Sequence, residues 1–173
     1  SPREDYSGLC ADLASRGYVV VALSHPYESA VSVLGDGRVV GAAAGASILG
    51  ANMADMTPIR VADSRFVLDQ LARLAQVEPA SPLVGHVDVR HTGIVGHSMG
   101  GAAAAQVVAE DPRFLVGVNL DGTLPAVLAG GWHLGAPFLW LQSDGQQETS
   151  YVQGRDRLLA GVPGSDVLVV GGT

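Results

Sequence analysis

Lysine is absent from this 173-residue chain. All 10 basic residues are arginines, spread singly along it and outnumbered by 17 acidic residues, for a net charge of -7. Scattered cations cannot form the continuous positive footprint that nucleic acid requires, so no nucleic-acid partner is expected. Cysteine is nearly absent as well: Cys10 stands alone, which excludes an internal disulfide, and its place in an apolar helical pattern reads as a buried core thiol. No apolar run reaches the roughly 18 residues that a membrane span needs. The longest candidate is the small-residue stretch from Gly41 to Ala51, so a soluble chain is expected, with compartment and oligomeric state left open. The first residue is Ser1 rather than methionine, and the last follows a strand-like run. Both ends are expected to be cut ends of a longer chain, and any signal peptide would lie outside them.

What is present is enough for one folded domain spanning residues 1–173, since 47% of the residues are hydrophobic. From Arg3 to Arg16, Tyr6, Leu9, Cys10 and Leu13 recur at helical spacing, and Gly17 marks the stop. Tyr18 to Leu23, YVVVAL, is a continuous β-branched run that predicts a buried parallel strand. Ser32 to Val40 carries an Asp-Gly turn between apolar pieces and predicts a hairpin, followed by a loop or lid up to Met56. Thr57 and Pro58 predict a helix start, with Ile59, Ala62, Phe66, Leu68, Leu71 and Leu74 as its apolar positions to about Gln76. Pro79, Pro82 and Gly85 mark a linker.

Beyond the linker, strand and helix patterns alternate: TGIVG, a helix over Gly100 to Glu110, FLVGVNL, PFLWLQS, a helix over Ser150 to Gly161, and DVLVVG. That alternation predicts an α/β fold, a three-layer sandwich whose mostly parallel sheet is covered by helices on both faces.

At the first of these strand-to-helix switches stands Gly96-His97-Ser98-Met99-Gly100-Gly101. In parallel α/β sheets reactive side chains gather at the carboxyl ends of strands. A serine between glycines at such an end is a nucleophile elbow: the turn is tight, Gly96 and Gly100 are expected to make room for it, and the hydroxyl is raised above the sheet. The helix that starts there aims backbone N–H groups at a developing oxyanion, with that of Met99 the natural donor. A serine hydroxyl needs a base, and the base needs an orienting carboxylate. Asp121 follows the next strand at the same sheet edge, and Asp144, one strand later, is its rival. A base is harder to find. His86, His91 and His133 precede strands, at the opposite edge, while His97 is held inside the elbow and His25 alone follows a strand-like run.

The runs LASRGYVVVALSHPYES, RVADSRFVLDQL, GHSMGG with AEDPRF behind it, and GVNLDGTL together resemble the α/β-hydrolase superfamily, and more narrowly the bacterial relatives of the platelet-activating-factor acetylhydrolases. The resemblance covers nearly the whole chain. It implies Ser98 as nucleophile, Asp121 as acid, and His25 as a residue of the pocket wall. It also implies an oxyanion loop before Ser1 and a catalytic histidine after Thr173, so residues 1–173 alone are expected to be an inactive, truncated hydrolase domain. The implied activity is serine carboxylic ester hydrolysis on a small-molecule or lipid ester, short-chain and of the platelet-activating-factor-like phospholipid class by analogy, with no metal or cofactor. A cutinase-like or dienelactone-hydrolase-like esterase and a non-catalytic hydrolase-fold binding module are the alternatives.

Overall fold

The computed structural model describes residues 3–28, 31–42, 53–124, 133–145 and 147–172. They fall into two compact units, Ser1–Asn52 and Met53–Thr173.

In the first unit a 3-10 turn, Arg3–Tyr6, leads into helix α1, Ser7–Ser15. The helix stops where expected, with Gly17 at φ 92°. Cys10 is half-buried and α1 has no buried residue, so the core-thiol expectation is not met. A helix buries a stripe only where other apolar surface meets it. Residues 18–23 form no strand, because a β-branched run is a strand only when a neighbouring chain completes its hydrogen-bond ladder. The hairpin is present: β1, Val31–Val33, pairs antiparallel with β2, Val39–Gly41, around Gly37 at φ 84°. Most of the stretch read as a loop or lid lies outside the described residues, and its end, from Met53, is helix.

The second unit opens with α2, Met53–Ala72, which starts one turn earlier than the Thr57-Pro58 pair predicts. Pro58 therefore lies inside the helix, in its second turn, where it lacks the N–H for one ladder bond and its ring crowds the carbonyl four residues back. After the short helix α3, Leu74–Val77, come β3 (Thr92–His97), α4 (Met99–Glu110), β4 (Phe114–Leu120), β5 (Phe138–Ser143), α5 (Thr149–Leu159) and β6 (Asp166–Val170). The four strands form one parallel sheet in the order β3-β4-β5-β6.

Register and side-chain contacts show how the helices cover it. Asn119 of β4 pairs with Trp140 of β5, so both side chains point to the same face. Gly101 of α4 lies against the Asn119 amide, and Tyr151 of α5 hydrogen-bonds Trp140. Helices α4 and α5 therefore share that face, where Phe138, Trp140, Val107, Val108 and Leu158 form the core. On the opposite face Val95, Val116, Leu168 and Val170 stay 42–48% exposed.

Helix α2 packs on α4 through Thr57, Val61, Ser64 and Leu68. Of the expected positions Leu68 is buried and Leu71 and Leu74 are half-buried, but Ile59 and Phe66 are 54% and 62% exposed. Helix α4 carries buried alanines on every face, Ala102 to Ala105, and the small side chains it turns outward admit a close-packed neighbour. At the far end Arg65 reaches Glu110 (2.7 Å), and Arg113 bridges Asp69 (2.6 Å) and the nearly buried Asp111 (2.7 Å).

Two stability outcomes follow. Leu68→Ala should lower unfolding free energy by about 2–5 kcal/mol in a denaturant titration, whereas Phe66→Ala should stay within about 0.5 kcal/mol. Hydrogen bonding from the Arg113 guanidinium holds the Asp111 carboxyl below its ordinary value of 3.8. Its contribution is therefore present above that pH and lost as pH falls through the folded value, so the stability gap between wild type and Asp111→Asn should narrow on acidification.

Candidate active site

At the carboxyl end of β3 the chain must reverse from strand into α4 within one residue. Ser98 does this at φ 55°, ψ -123°, backbone that a non-glycine residue adopts only under local compulsion. The compulsion is visible in its bonds. The Ser98 N–H donates to the Leu120 carbonyl of β4 (3.1 Å), and the Ser98 carbonyl accepts from the N–H groups of Gly101 (3.0 Å) and Ala102 (3.3 Å). Gly96 is required sterically, since a Cβ there would overlap the Gly100 carbonyl group. Gly100 is not required in that way: a Cβ on it would meet only Arg60 Nη1, at 3.9 Å. The second crowded position is Gly101, whose added Cβ would strike the Asn119 side chain. The doubled glycine of the motif carried that signal, but choosing between its two members needed the position of Asn119.

The Ser98 side chain is exposed and Met99 behind it is buried. As the first residue of α4, Met99 has an N–H with no acceptor inside the helix. That end of the helix also carries the positive end of its dipole.

Asp121 stands at the same edge, one residue past β4, again with left-handed backbone (φ 47°). Its N–H donates to the Leu141 carbonyl (2.7 Å), and its carboxylate accepts from the N–H (2.9 Å) and the hydroxyl (3.0 Å) of Ser143. The following residue, Gly122, lies directly against the Ser98 carbonyl, leaving no room for a Cβ. Elbow and acid turn are thus in backbone contact. Gly122 is in addition gripped from both sides. Its N–H donates to Asn119 Oδ1 (2.6 Å), and its carbonyl accepts from the Tyr151 hydroxyl (2.7 Å), which in turn accepts from Trp140 Nε1 (2.9 Å). Nothing in the sequence pattern pointed to Asn119, Trp140 or Tyr151.

The rival acid is occupied elsewhere at this edge. The Asp144 carboxylate accepts from the Gly172 N–H (2.8 Å), and its own N–H donates to the Val170 carbonyl (3.1 Å), so it shapes the turn after β6. Among the histidines, His91 immediately precedes β3 and contacts Asp88 at 2.9 Å. A six-residue strand separates it from Ser98, about 20 Å at the usual rise. His86 lies in the segment leading into that end, and His133 comes before β5. His97 is the last residue of β3. His25 belongs to the first unit, where its carbonyl accepts the Glu28 N–H (3.2 Å). The arrangement can supply a raised hydroxyl, helix N–H groups and a carboxylate on one edge.

Comparison with known proteins is consistent with this geometry. Residues 1–35 and 74–173 match the family described as platelet-activating factor acetylhydrolase, isoform II. A probable 1-alkyl-2-acetylglycerophosphocholine esterase from Arthroderma benhamiae is 29% identical over 122 residues, covering 69% of this chain and 28% of that protein. The solved structure of a ferulic acid esterase from Streptomyces cinnamoneus superposes with a TM-score of 0.76 at 32% identity, over 98% of this chain and 47% of that one. The chain therefore spans less than half the length of either relative.

The glycine geometry makes a sharp contrast testable. Gly96→Ala should prevent folding or cost several kcal/mol, because the clash is backbone against backbone. Gly100→Ala, in open helical space, should be neutral or add up to about 1 kcal/mol. Thermal melts of the two variants check this, and similar melting temperatures would refute it.

Proposed function

The chain belongs to the platelet-activating factor acetylhydrolase, isoform II, family, and on that premise we propose that it carries the nucleophile and the acid of a serine carboxylic ester hydrolase. The observation that carries the reading is the pairing of two left-handed residues, Ser98 and Asp121, whose turns touch through Gly122 and the Ser98 carbonyl. Ser98 Oγ attacks the acyl carbonyl while an imidazole takes its proton. The tetrahedral oxyanion is met by the Met99 N–H and a second donor; its collapse expels the alcohol, which receives the proton. Water then releases the acid from Ser98 by the same sequence in reverse order of partners. Asp121 orients the imidazole and stabilises its cation.

The imidazole and the second oxyanion donor are assigned to segments outside residues 1–173, which form part of one hydrolase domain, and His25 to the wall of the acyl pocket. No step calls for a metal or cofactor. The proposed substrates are short-chain esters, including phospholipid esters of the kind named for the Arthroderma benhamiae relative. The Streptomyces cinnamoneus likeness supports a second reading, esters of an aromatic acid.

The test uses the full-length protein carrying this chain. Ser98→Ala should abolish p-nitrophenyl acetate hydrolysis and labelling by a fluorophosphonate probe. Asp121→Asn should lower kcat by about 10⁴-fold, the scale seen when a triad loses its acid, while Asp144→Asn should retain most activity. Near-normal turnover by Asp121→Asn would transfer the role to Asp144. An unlabelled, intact protein would favour a binding module. Comparing an acetyl phospholipid with methyl ferulate decides between the two substrate classes.

A further inference from the structure

The mechanism leaves a half-buried tyrosine unused. Tyr151 lies in the first turn of α5, its hydroxyl between the Gly122 carbonyl (2.7 Å) and the indole N–H of Trp140 (2.9 Å). We propose that Tyr151, oriented by Trp140, is the positioning residue for the acid turn and sets where the Asp121 carboxylate stands relative to Ser98; this rests on the serine-hydrolase reading above.

The direction of each hydrogen bond follows from chemistry. An indole nitrogen can only donate and a carbonyl can only accept, so the single phenolic proton must point to Gly122. Trp140 is fully buried, so its N–H has no water to turn to and holds the phenol in that sense. Burial raises the Tyr151 pKa further above its usual 10.0, and the Asp121 charge acts in the same direction while Trp140 and Arg155 oppose it. The phenol therefore stays a donor throughout the pH range of ester hydrolysis.

Geometry then gives the hydroxyl its leverage. Gly122 is hemmed in on the elbow side, where a Cβ would overlap the Ser98 carbonyl, and along β4, where Asn119 Oδ1 holds its N–H at 2.6 Å. Tyr151 closes the remaining direction. Asp121, one residue earlier and at φ 47°, has its backbone set by this clamp and its carboxylate by Ser143. A carboxylate that orients a base works by placement, and misplacement of about 1 Å costs on the order of 100-fold in rate.

The experiment compares Tyr151→Phe, Trp140→Phe and Ser98→Ala in the full-length protein, with circular dichroism and melting temperature as folding controls. Tyr151→Phe should lower kcat about 10- to 100-fold with KM within about twofold. It should also shift the acidic limb of the kcat/KM profile to lower pH. The sign is set by the pair: the carboxylate stabilises the imidazolium and raises its pKa, so a displaced carboxylate lets that pKa fall. Trp140→Phe, which keeps the phenol but frees its proton, should show the same shift in smaller measure, and it decides the matter if Tyr151→Phe fails to fold. Unchanged kcat, or a lower kcat with an unmoved limb, overturns the positioning role while leaving the hydrolase reading intact. Full activity in Ser98→Ala overturns both.

Discussion

The structure turns on one close approach of backbone to backbone, where Gly96 at the end of β3 meets Gly100 at the start of α4. A strand can feed a helix lying directly over it only if the chain reverses at once, and that reversal puts Ser98 at φ 55°. Such a residue costs on the order of 1–3 kcal/mol. The cost is offset by bonds that a relaxed turn would forgo, above all the Ser98 N–H to the β4 carbonyl of Leu120 and the two N–H groups that meet the Ser98 carbonyl. The same approach lays α4 against the sheet, where Ala104 and Val107 are fully buried. Strain and core thus have one origin.

Further layers inherit the constraint. Because α4 lies low on the sheet, its outer surface must be small, and alanines supply that. An alanine surface selects a partner that can come close, so α2 turns Val61 and Ser64 inward and leaves Phe66 outside. Hydrophobicity alone would choose otherwise. The apolar residues of α2 offer two overlapping stripes that share Leu68, and only the identity of the facing helix decides between them, which is why the pattern read along the chain placed Leu68 correctly and Ile59 and Phe66 not.

How much was legible follows from the range of the forces involved. The elbow could be read because its requirements are local: a strand, a glycine, a serine and a helix within a few residues. The parallel arrangement of β3 to β6 was legible from alternation, and the placement of Asp121 at the elbow's edge from its position after the second of these strands. By contrast, residues 18–23 have every local property of a strand and form none among the described residues, since a strand depends on a pairing partner as well as on its own residues. The clamp on Gly122 was hidden for a similar reason. Its members come from β4, β5 and α5, and Tyr151 lies 29 positions from the carbonyl it holds.

The two non-glycine residues with left-handed backbone among the described residues of this unit are one mechanical object. Ser98 and Asp121 each sit at a carboxyl strand end, and main chain of the two turns meets where Gly122 lies against the Ser98 carbonyl. Main-chain contacts of this kind cannot be adjusted by rotamer change, so a displacement at either turn must be carried by the other. What prevents displacement lies beneath: Asn119 and Trp140, both fully buried, and α5, which brings Tyr151 to them. Stability and site geometry are therefore coupled in a definite direction. Loosening the exposed face of α2 leaves the edge untouched, whereas loosening the seam between α5 and β5 reaches the acid turn first, and the nucleophile through it.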